Sequence, residues 1–284
     1  MRTERVLLVA ILATTLLSVA ADAQWLNYPT PGIPRLPDGK PNLSAPAPLT
    51  SDGKPDLSGL WRAECLALSS CWGQSRNFDL ARGLPPGEVE LTPWSAAVLG
   101  QRVTRKGVDD PAGYCLPHGH PRMAFPSIFK ILQTPTVTAF LYETIPGSVF
   151  RQVFTDGRPL PEDPEPTRMG YSVGRWDGDT FVVETSGFRD RGWLDARGRP
   201  HSDALRVIDR YRRTDFGHMD WAITIDDPKA FVKAWTVTVQ LTFAADTDLL
   251  EGFCDNHDKT MEHRRIDPAP PEPPSPPVSE GRSR

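Results

Sequence analysis

Two segments near the C-terminal end of the chain alternate between apolar and polar residues, and this pattern constrains the fold more than any other feature. Residues 219–225 and 235–243 place an apolar side chain at every second position. Successive side chains of a strand point to opposite faces of a sheet, whereas a helix repeats about every 3.6 residues. Both segments are therefore predicted to be strands with one face buried in a core.

Similar strand signals recur upstream and are separated by turn residues. They cover residues 57–61, 129–133, 137–143, 149–154, 172–176, 180–185 and 205–213. Asp177-Gly178, between two of these segments, is a strong hairpin signal, and only residues 93–105 favour a helix. About nine strands without strand–helix alternation predict an all-β domain, an antiparallel closed or nearly closed barrel of the calycin type. A β-sandwich is the alternative architecture.

The first residues read as a secretory signal peptide. Arg2 and Arg5 precede an apolar stretch at 6–17, and Ala21 and Ala23 supply the small residues that signal cleavage requires. The apolar stretch is shorter than the roughly 20 residues that span a bilayer. Residues 1–23 are therefore predicted to be removed, leaving a periplasmic or secreted protein with no stable membrane span.

The rest of the chain divides by its proline content. Residues 24–56 are proline-rich and contain the echo Asp38-Gly-Lys-Pro and Asp52-Gly-Lys-Pro, so they are predicted to form an extended arm. Residues 57–266 are predicted to form the single barrel domain. Residues 267–284 are again proline-rich and almost without apolar side chains, which predicts a disordered tail.

Charge and cysteine content limit the partners and the compartment. The formal net charge is −4 and no basic run occurs, so nucleic acid is excluded as an expected partner. The four cysteines all follow the signal peptide, and an even number in an oxidising compartment predicts two disulfides. Three pairings are possible, and the favoured one joins Cys65 to Cys71 and Cys115 to Cys254.

Several motifs together resemble an exported bacterial family of mostly unassigned function. The main ones are Cys115-Leu-Pro-x-Gly-x-Pro-Arg122, Gly170-x-Ser-x-Gly-x-Trp-x-Gly-Asp-Thr180 and Pro200-His-Ser202 ahead of Arg210-Tyr-Arg-Arg213. The resemblance covers most of the chain after the signal peptide. It implies a shared fold and export, and it does not indicate a substrate. His118 departs from the family, which usually has proline there, and this argues against an essential role for that histidine.

The long polar connection between the strands at 180–185 and 205–213 is the favoured site region. It holds Trp193, Asp195, His201 and Ser202, and loops over a barrel mouth often carry function. An imidazole beside carboxylates can act as a general acid or base near neutral pH. An indole offers a flat apolar face to a sugar or an aromatic ring. The alternative is a solvated loop whose polar residues cap turns.

Adjacent strands supply further candidates in Tyr142, Glu143 and Arg151, which would bind a ligand or form a structural ion pair inside the barrel. The predicted function is an exported barrel with a pocket for a small organic molecule, either a sugar or an aromatic compound. If it is an enzyme, we expect a metal-free lyase, isomerase or hydrolase that uses His201 with Asp195 or Glu143. The alternative is a non-catalytic ligand-binding or envelope-structural protein.

Two other constellations are weaker. Gly170-Tyr-Ser172-Val-Gly174 matches the serine-hydrolase pattern G-x-S-x-G, but that motif needs a strand, a tight turn and a helix, and here a hairpin follows. His118 and His120, with Cys115 and Glu143, include residue types that bind metals, but an oxidised Cys115 cannot donate a thiolate. No metal or cofactor is therefore predicted.

Overall fold

The structure, a computed structural model, describes residues 28–63, 78–125, 128–143, 149–190 and 192–250. The predicted signal peptide, the proline-rich tail, Cys65, Cys71 and Cys254 lie outside the described residues. Cys115 has no free thiol. The two predicted disulfides, Cys65–Cys71 and Cys115–Cys254, and the domain boundaries therefore remain predictions.

Nine strands close into a barrel, which confirms the predicted all-β barrel and rejects the sandwich. Around the barrel the order is β1-β11-β10-β9-β6-β5-β4-β3-β2, and β7 and β8 form a separate hairpin. The strands are β1 (Gly59–Ala63), β2 (Ile128–Gln133), β3 (Val137–Tyr142), β4 (Val149–Phe154), β5 (Tyr171–Asp177), β6 (Thr180–Ser186), β7 (Gly192–Trp193), β8 (Pro200–His201), β9 (Arg206–Arg213), β10 (His218–Asp226) and β11 (Trp235–Phe243). The helix α1 is Pro93–Thr104, and two short 3-10 helices are Pro111–Tyr114 and Arg122–Ala124.

The period-two pattern places the core inside the barrel. In β10 the side chains of Met219, Trp221, Ile223 and Ile225 are buried, while the residues between them are partly exposed. Trp221 lies opposite Tyr211 of β9 and Val239 of β11, so the three strands present their apolar residues to the same side. The inward-facing side chains of these strands therefore meet in one hydrophobic core.

One pair of neighbouring strands departs from the predicted antiparallel arrangement. β4 and β5 run parallel, with Val153 opposite Ser172, and every other adjacent pair among the described barrel strands is antiparallel. A parallel pair needs a connection of about a dozen residues or more, whereas an antiparallel pair needs only a short turn. Residues 155–170 are long enough to return along the barrel. The prediction of a wholly antiparallel barrel was therefore wrong at this pair.

The N-terminal arm covers one end of the barrel, which we call the arm end. Its two Asp-Gly-Lys-Pro copies form equivalent turns, closed by bridges between Arg35 and Pro41 and between Leu49 and Pro55. Gly217, in the turn between β9 and β10, donates to the Leu43 carbonyl over 2.7 Å. A Cβ at Gly217 would come within 2.4 Å of the Leu43 Cβ, so the close approach of the arm requires glycine there.

The opposite end, which we call the hairpin end, is covered by α1, by the β7–β8 hairpin and by residues 111–125. Thr92 caps α1 by accepting a hydrogen bond from the Ser95 amide over 3.3 Å, and Pro93 occupies the first turn. Arg102 of α1 donates to the carbonyls of Gly192 and Gly198 over 3.2 and 3.1 Å. These bonds attach the hairpin to the helix. Within the described part of the chain, no helix has the length and apolar character that crossing a membrane requires.

Candidate functional site

A buried ionic cluster lies inside the barrel near its hairpin end. Asp209 of β9 binds the Arg151 guanidinium over 2.8 Å and the His120 Nε2 over 3.0 Å, and all three side chains are almost completely buried. Arg151 also donates to Ser172 Oγ over 3.0 Å and to Thr185 Oγ1 over 2.7 Å. The polar atoms of these side chains form hydrogen bonds with one another. The cluster therefore joins β4, β5, β6 and β9 to the segment that carries His120.

The partners of the cluster determine its protonation. Arg151 donates toward His120 Nδ1 over 3.4 Å, so Nδ1 is the acceptor and Nε2–H donates to Asp209. Burial and the neighbouring Arg151 lower the pKa of His120, which is therefore neutral at pH 7. Burial acts to raise the pKa of Asp209, but His120 and Arg151 outweigh it and hold that pKa well below its usual range.

Ser172, the central residue of the G-x-S-x-G segment, belongs to this cluster. Its hydroxyl accepts from Arg151 and shares a hydrogen bond of 3.0 Å with Thr185 Oγ1. Ser172 lies in β5, which turns directly into the antiparallel strand β6. The local structure thus lacks the strand–turn–helix geometry that exposes a nucleophilic serine.

A small cleft lies at the hairpin end, outside the packed interior. Its volume is about 150 Å³, and its lining comprises Pro111, His118, Arg168, Arg189, Asp190, Gly192 and His201. A cavity needs roughly 10–15 Å³ to hold one water molecule, so the cleft has room for a small organic molecule or for one group of a larger one.

His201 lines this cleft, and one of its two ring nitrogens is hydrogen-bonded. Nδ1 lies 3.1 Å from the Ser202 carbonyl oxygen, and because a carbonyl only accepts, Nδ1 carries the proton. Nε2 is then the basic nitrogen, and it has no hydrogen-bond partner among the described residues. Burial lowers the pKa of His201, and it outweighs the opposing effects of Ser202, Asp227 and Asp190. His201 is therefore a neutral imidazole at pH 7.

Gly192, on the partner strand of the hairpin, makes room for that nitrogen. A Cβ built on Gly192 would lie 1.7 Å from His201 Nε2, far inside van der Waals contact. The two residues are directly opposite each other in the β7–β8 pairing. The absence of a side chain at Gly192 is therefore a condition for the observed position of the imidazole.

His118 lines the cleft as a second neutral imidazole. Both of its ring nitrogens are buried and have no hydrogen-bond partner in the described part of the chain. Burial lowers the pKa of His118 to about 4, and Arg122 acts in the same direction. Neighbouring Gly119 has a φ of +83°, and a Cβ there would meet the Arg168 carbonyl oxygen at 2.7 Å. Glycine thus permits the close approach of Arg168 to this segment.

Arg168 and Arg189 provide positive charge at the same cleft. Neither guanidinium has an ion pair or hydrogen bond within the described residues. Partial burial lowers the pKa of Arg168, and repulsion by Arg189 lowers it further. Asp190 also lines the cleft and acts electrostatically on His201. Two cations and one carboxylate therefore surround two neutral imidazoles.

Among the residues predicted from the sequence for catalysis or ligand binding, only His201 lines the cleft. Asp195 is fully buried and accepts hydrogen bonds from the amides of Leu80, Arg197 and Arg199 over 3.0–3.2 Å. Burial raises the pKa of Asp195, against the effect of the Arg199 guanidinium that it binds. These hydrogen bonds stabilise the turn of the β7–β8 hairpin.

The remaining predicted residues lie elsewhere. Glu143 accepts from the Leu250 amide over 2.8 Å, and Ser202 donates its hydroxyl to Asp227 over 2.8 Å. Trp193 is buried, with the Arg102 guanidinium 4.7 Å from its ring centroid. Tyr142 is enclosed in the barrel, where burial raises its pKa to about 12, and Arg151 belongs to the ionic cluster.

The two arginines and Asp190 were not among the site residues predicted from the sequence. Arg189 and Asp190 begin the polar connection that was selected as the site region, so their charges were a usable signal. Arg168 has no comparable signal, because it lies in the connection between β4 and β5, far from His201 along the chain. Only the closure of the barrel brings these residues to one cleft.

The residue types at the cleft were also considered as metal ligands. Within the described residues, no group of three or more His, Cys, Asp and Glu side chains has an arrangement that could hold a metal ion.

Comparison with protein-family models gives no match, and comparison with curated proteins gives none either.

Proposed function

We propose that this chain is an exported β-barrel protein that binds a small organic molecule in the cleft at the hairpin end, where His201 accepts a proton from it. The observation that carries the proposal is the state of His201. Its Nδ1–H is held by the Ser202 carbonyl, and its basic Nε2 occupies the space that the missing side chain of Gly192 leaves, where both residues line the cleft. A neutral imidazole of fixed tautomer beside a cleft is suited to general base chemistry.

Export and family membership belong to the same proposal. Arg2, Arg5 and the apolar stretch that follows support export, and the motifs around Cys115, Gly170 and Pro200 support membership in the exported bacterial family described above. These features are independent of the cleft, so a failure of the cleft proposal would leave them in place.

A second candidate function is ligand binding without catalysis. No carboxylate in the described part of the chain hydrogen-bonds to His201, and a general base is often oriented by such a partner. The two candidates share the cleft and differ in what His201 contributes. In the catalytic case loss of Nε2 abolishes turnover of a bound substrate, whereas in the binding case it changes affinity alone.

The cleft can be tested without knowledge of the natural ligand. Backbone amide resonances would be followed by NMR while phenol, glucose, benzoate or lactate is added. We expect at least one of these probes to shift the resonances of Gly192 and His118. His201→Asn keeps a side-chain N–H near the Ser202 carbonyl but removes the basic Nε2, so it should weaken the shift several-fold.

His218→Asn is the matched control. His218 lies in the turn region at the arm end and bonds to Asp215 over 2.8 Å, away from the cleft. This variant should bind the probes as the wild type does. If none of the four probes shifts the cleft resonances, or if His218→Asn reduces binding as much as His201→Asn, the proposed function fails.

A further inference from the structure

The arginines of the cleft differ from the arginines that are enclosed in the described part of the fold, each of which has a hydrogen-bond acceptor. Arg122, Arg151 and Arg199 bind the carboxylates of Asp110, Asp209 and Asp195, and Arg102 and Arg213 donate to backbone carbonyls. Arg168 is half-buried and Arg189 is exposed, and neither has an acidic partner within the described residues. Their charges act on each other unfavourably. A bound anion would offset this repulsion, because a guanidinium binds a carboxylate with two parallel hydrogen bonds.

The charge count of the lining limits the kind of anion. Among the lining residues that the structure describes, His118 and His201 are neutral, Arg168 and Arg189 are cations, and Asp190 is the one carboxylate. These residues therefore carry one net positive charge in a chain whose formal net charge is −4. A carboxylate is a monoanion at pH 7, whereas a phosphate monoester carries a charge of about −1.5 to −2. A single negative charge matches the single net positive charge of these residues, which favours a carboxylate over a phosphate monoester.

We propose that the cleft binds a small organic carboxylate, with Arg168 and Arg189 holding its carboxylate group beside His201. This inference rests on the proposed function, since it names the class of molecule that the same cleft takes. In this arrangement the arginines fix the position of the molecule, and His201 Nε2 receives a proton from a carbon or an oxygen near the carboxylate. The proton ends on Nε2, and the electron pair stays on the molecule.

Matched pairs of acids and amides test the inference. Benzoate and benzamide have nearly the same shape and differ in charge, as do lactate and lactamide. Binding would be measured by titration calorimetry on the mature protein. We expect at least one acid to bind ten-fold or more tightly than its amide, a difference of about 1.4 kcal/mol. Arg168→Gln and Arg189→Gln should each remove most of that preference.

Arg210→Gln is the control for loss of positive charge. Arg210 is exposed on the outer face of β9 and is not part of the cleft lining. It should leave the preference for the acid unchanged. Because Arg189 is exposed, Arg189→Gln should fold normally, and circular dichroism would verify this for every variant. The result for Arg189 therefore stands even if the half-buried Arg168 is needed for folding.

The outcomes separate the inference from the proposed function. If the amides bind as tightly as the acids and His201→Asn weakens both, the carboxylate inference is overturned while the cleft remains a binding site. If Arg210→Gln reduces acid binding as much as Arg189→Gln, the preference comes from general charge, and the inference is also overturned. If neither acids nor amides bind, the carboxylate inference is overturned, and the proposed function fails with it only if phenol and glucose also leave the cleft resonances unshifted.

Discussion

Three histidines at the hairpin end are neutral for different local reasons. His120 is held between an arginine that donates to Nδ1 and an aspartate that accepts from Nε2. His201 donates from Nδ1 to the Ser202 carbonyl, and His118 has no hydrogen bond within the described residues. Only His201 combines a fixed proton with a basic nitrogen at the cleft. The proposed proton transfer therefore depends on His201.

The carboxylate of Asp209 is shared by three hydrogen-bond donors inside the barrel. It accepts hydrogen bonds from Arg151, His120 and the Trp221 indole, which lies 2.9 Å away. Asp209→Asn leaves the Arg151 charge buried without a counter-ion. Breaking one partner of such a pair typically costs about 3–5 kcal/mol. We expect the free energy of unfolding, measured by urea titration at pH 7, to fall by that amount.

Asp179→Asn is the matched control, because it also removes a carboxylate from an aspartate–arginine pair. Asp179 and Arg212 form an ion pair of 3.1 Å on the surface, where both side chains are more than half exposed. Such pairs contribute about 0–1 kcal/mol. Equal losses for the two variants would contradict the view that burial gives the Asp209 cluster its importance.

At the scale of elements, the β7–β8 hairpin supplies Gly192 and His201 to the lining of the cleft. It has only two residues in each strand, so its own backbone pairing holds it weakly. Arg102 of α1 donates to two of its carbonyls, and Asp195 accepts from the amides within its turn. The helix and the turn thus hold in place the strand that carries His201.

Gly192→Ala is expected to disrupt the cleft through this hairpin. The added Cβ would overlap His201 Nε2, and the imidazole must move because the opposing strand is attached to α1. We expect overpacking to lower the free energy of unfolding by about 1–3 kcal/mol. Probe binding, measured by NMR titration, should weaken ten-fold or more.

The control for the added methyl group is Gly100→Ala. Gly100 lies in α1, where a Cβ would have no heavy atom within 4 Å. Alanine in a helix is favoured over glycine by about 1 kcal/mol, so this variant should be as stable as the wild type or more stable. Probe binding retained in Gly192→Ala would show that the position of His201 does not matter for the cleft.

The strands could be predicted from the sequence because their pattern is local. The alternation in β10 and β11 and the Asp177-Gly178 turn are properties of neighbouring residues, and the structure places strands at all of these segments. The parallel pairing of β4 with β5 could not be predicted in this way. It depends on where residues 155–170 return, which is determined by closure of the whole sheet rather than by a local signal.

The site was predictable only in part for the same reason. His201 could be selected because an imidazole in a long polar connection is a local signal. Asp195 and Ser202 share that connection, but their polar atoms are used in hydrogen bonds of the hairpin and the following turn. A polar side chain caps a turn or faces a cleft according to its hydrogen-bond partners. Here those partners are distant in sequence, such as Leu80 for Asp195 and Asp227 for Ser202.

At the scale of the whole molecule, side chains fill the barrel interior, and the cleft lies outside it at one end. The rings of Tyr211 and Trp221 stack 5.4 Å apart, and Phe125 stacks on Trp221 at 5.5 Å. The ionic cluster around Asp209 occupies the interior beside them. The arm closes the opposite end through contacts with the β9–β10 turn. The packed barrel thus supports the segments that form the cleft.

The same burial makes the stability of the molecule depend on pH. An unfolded histidine has a pKa of about 6.5, whereas burial lowers the folded pKa of His118 to about 4 and also lowers those of His120 and His201. Between these values the unfolded chain binds protons that the folded chain does not. Stability is therefore full above about pH 6.5 and is lost as the pH falls, by about 2 kcal/mol for His118 between pH 7.5 and 5.

His118→Met isolates one of these contributions, because methionine fills a similar space and does not titrate. Urea titrations at pH 7.5 and pH 5 would give the loss of stability on acidification for each protein. We expect this loss to be smaller by about 2 kcal/mol in the variant, since His118 no longer takes up a proton on unfolding. At pH 7.5 the variant should be no less stable, because two buried nitrogens without partners are removed. An equal loss in both proteins would mean that His118 is readily protonated in the fold, and the neutral cleft would then have to be abandoned.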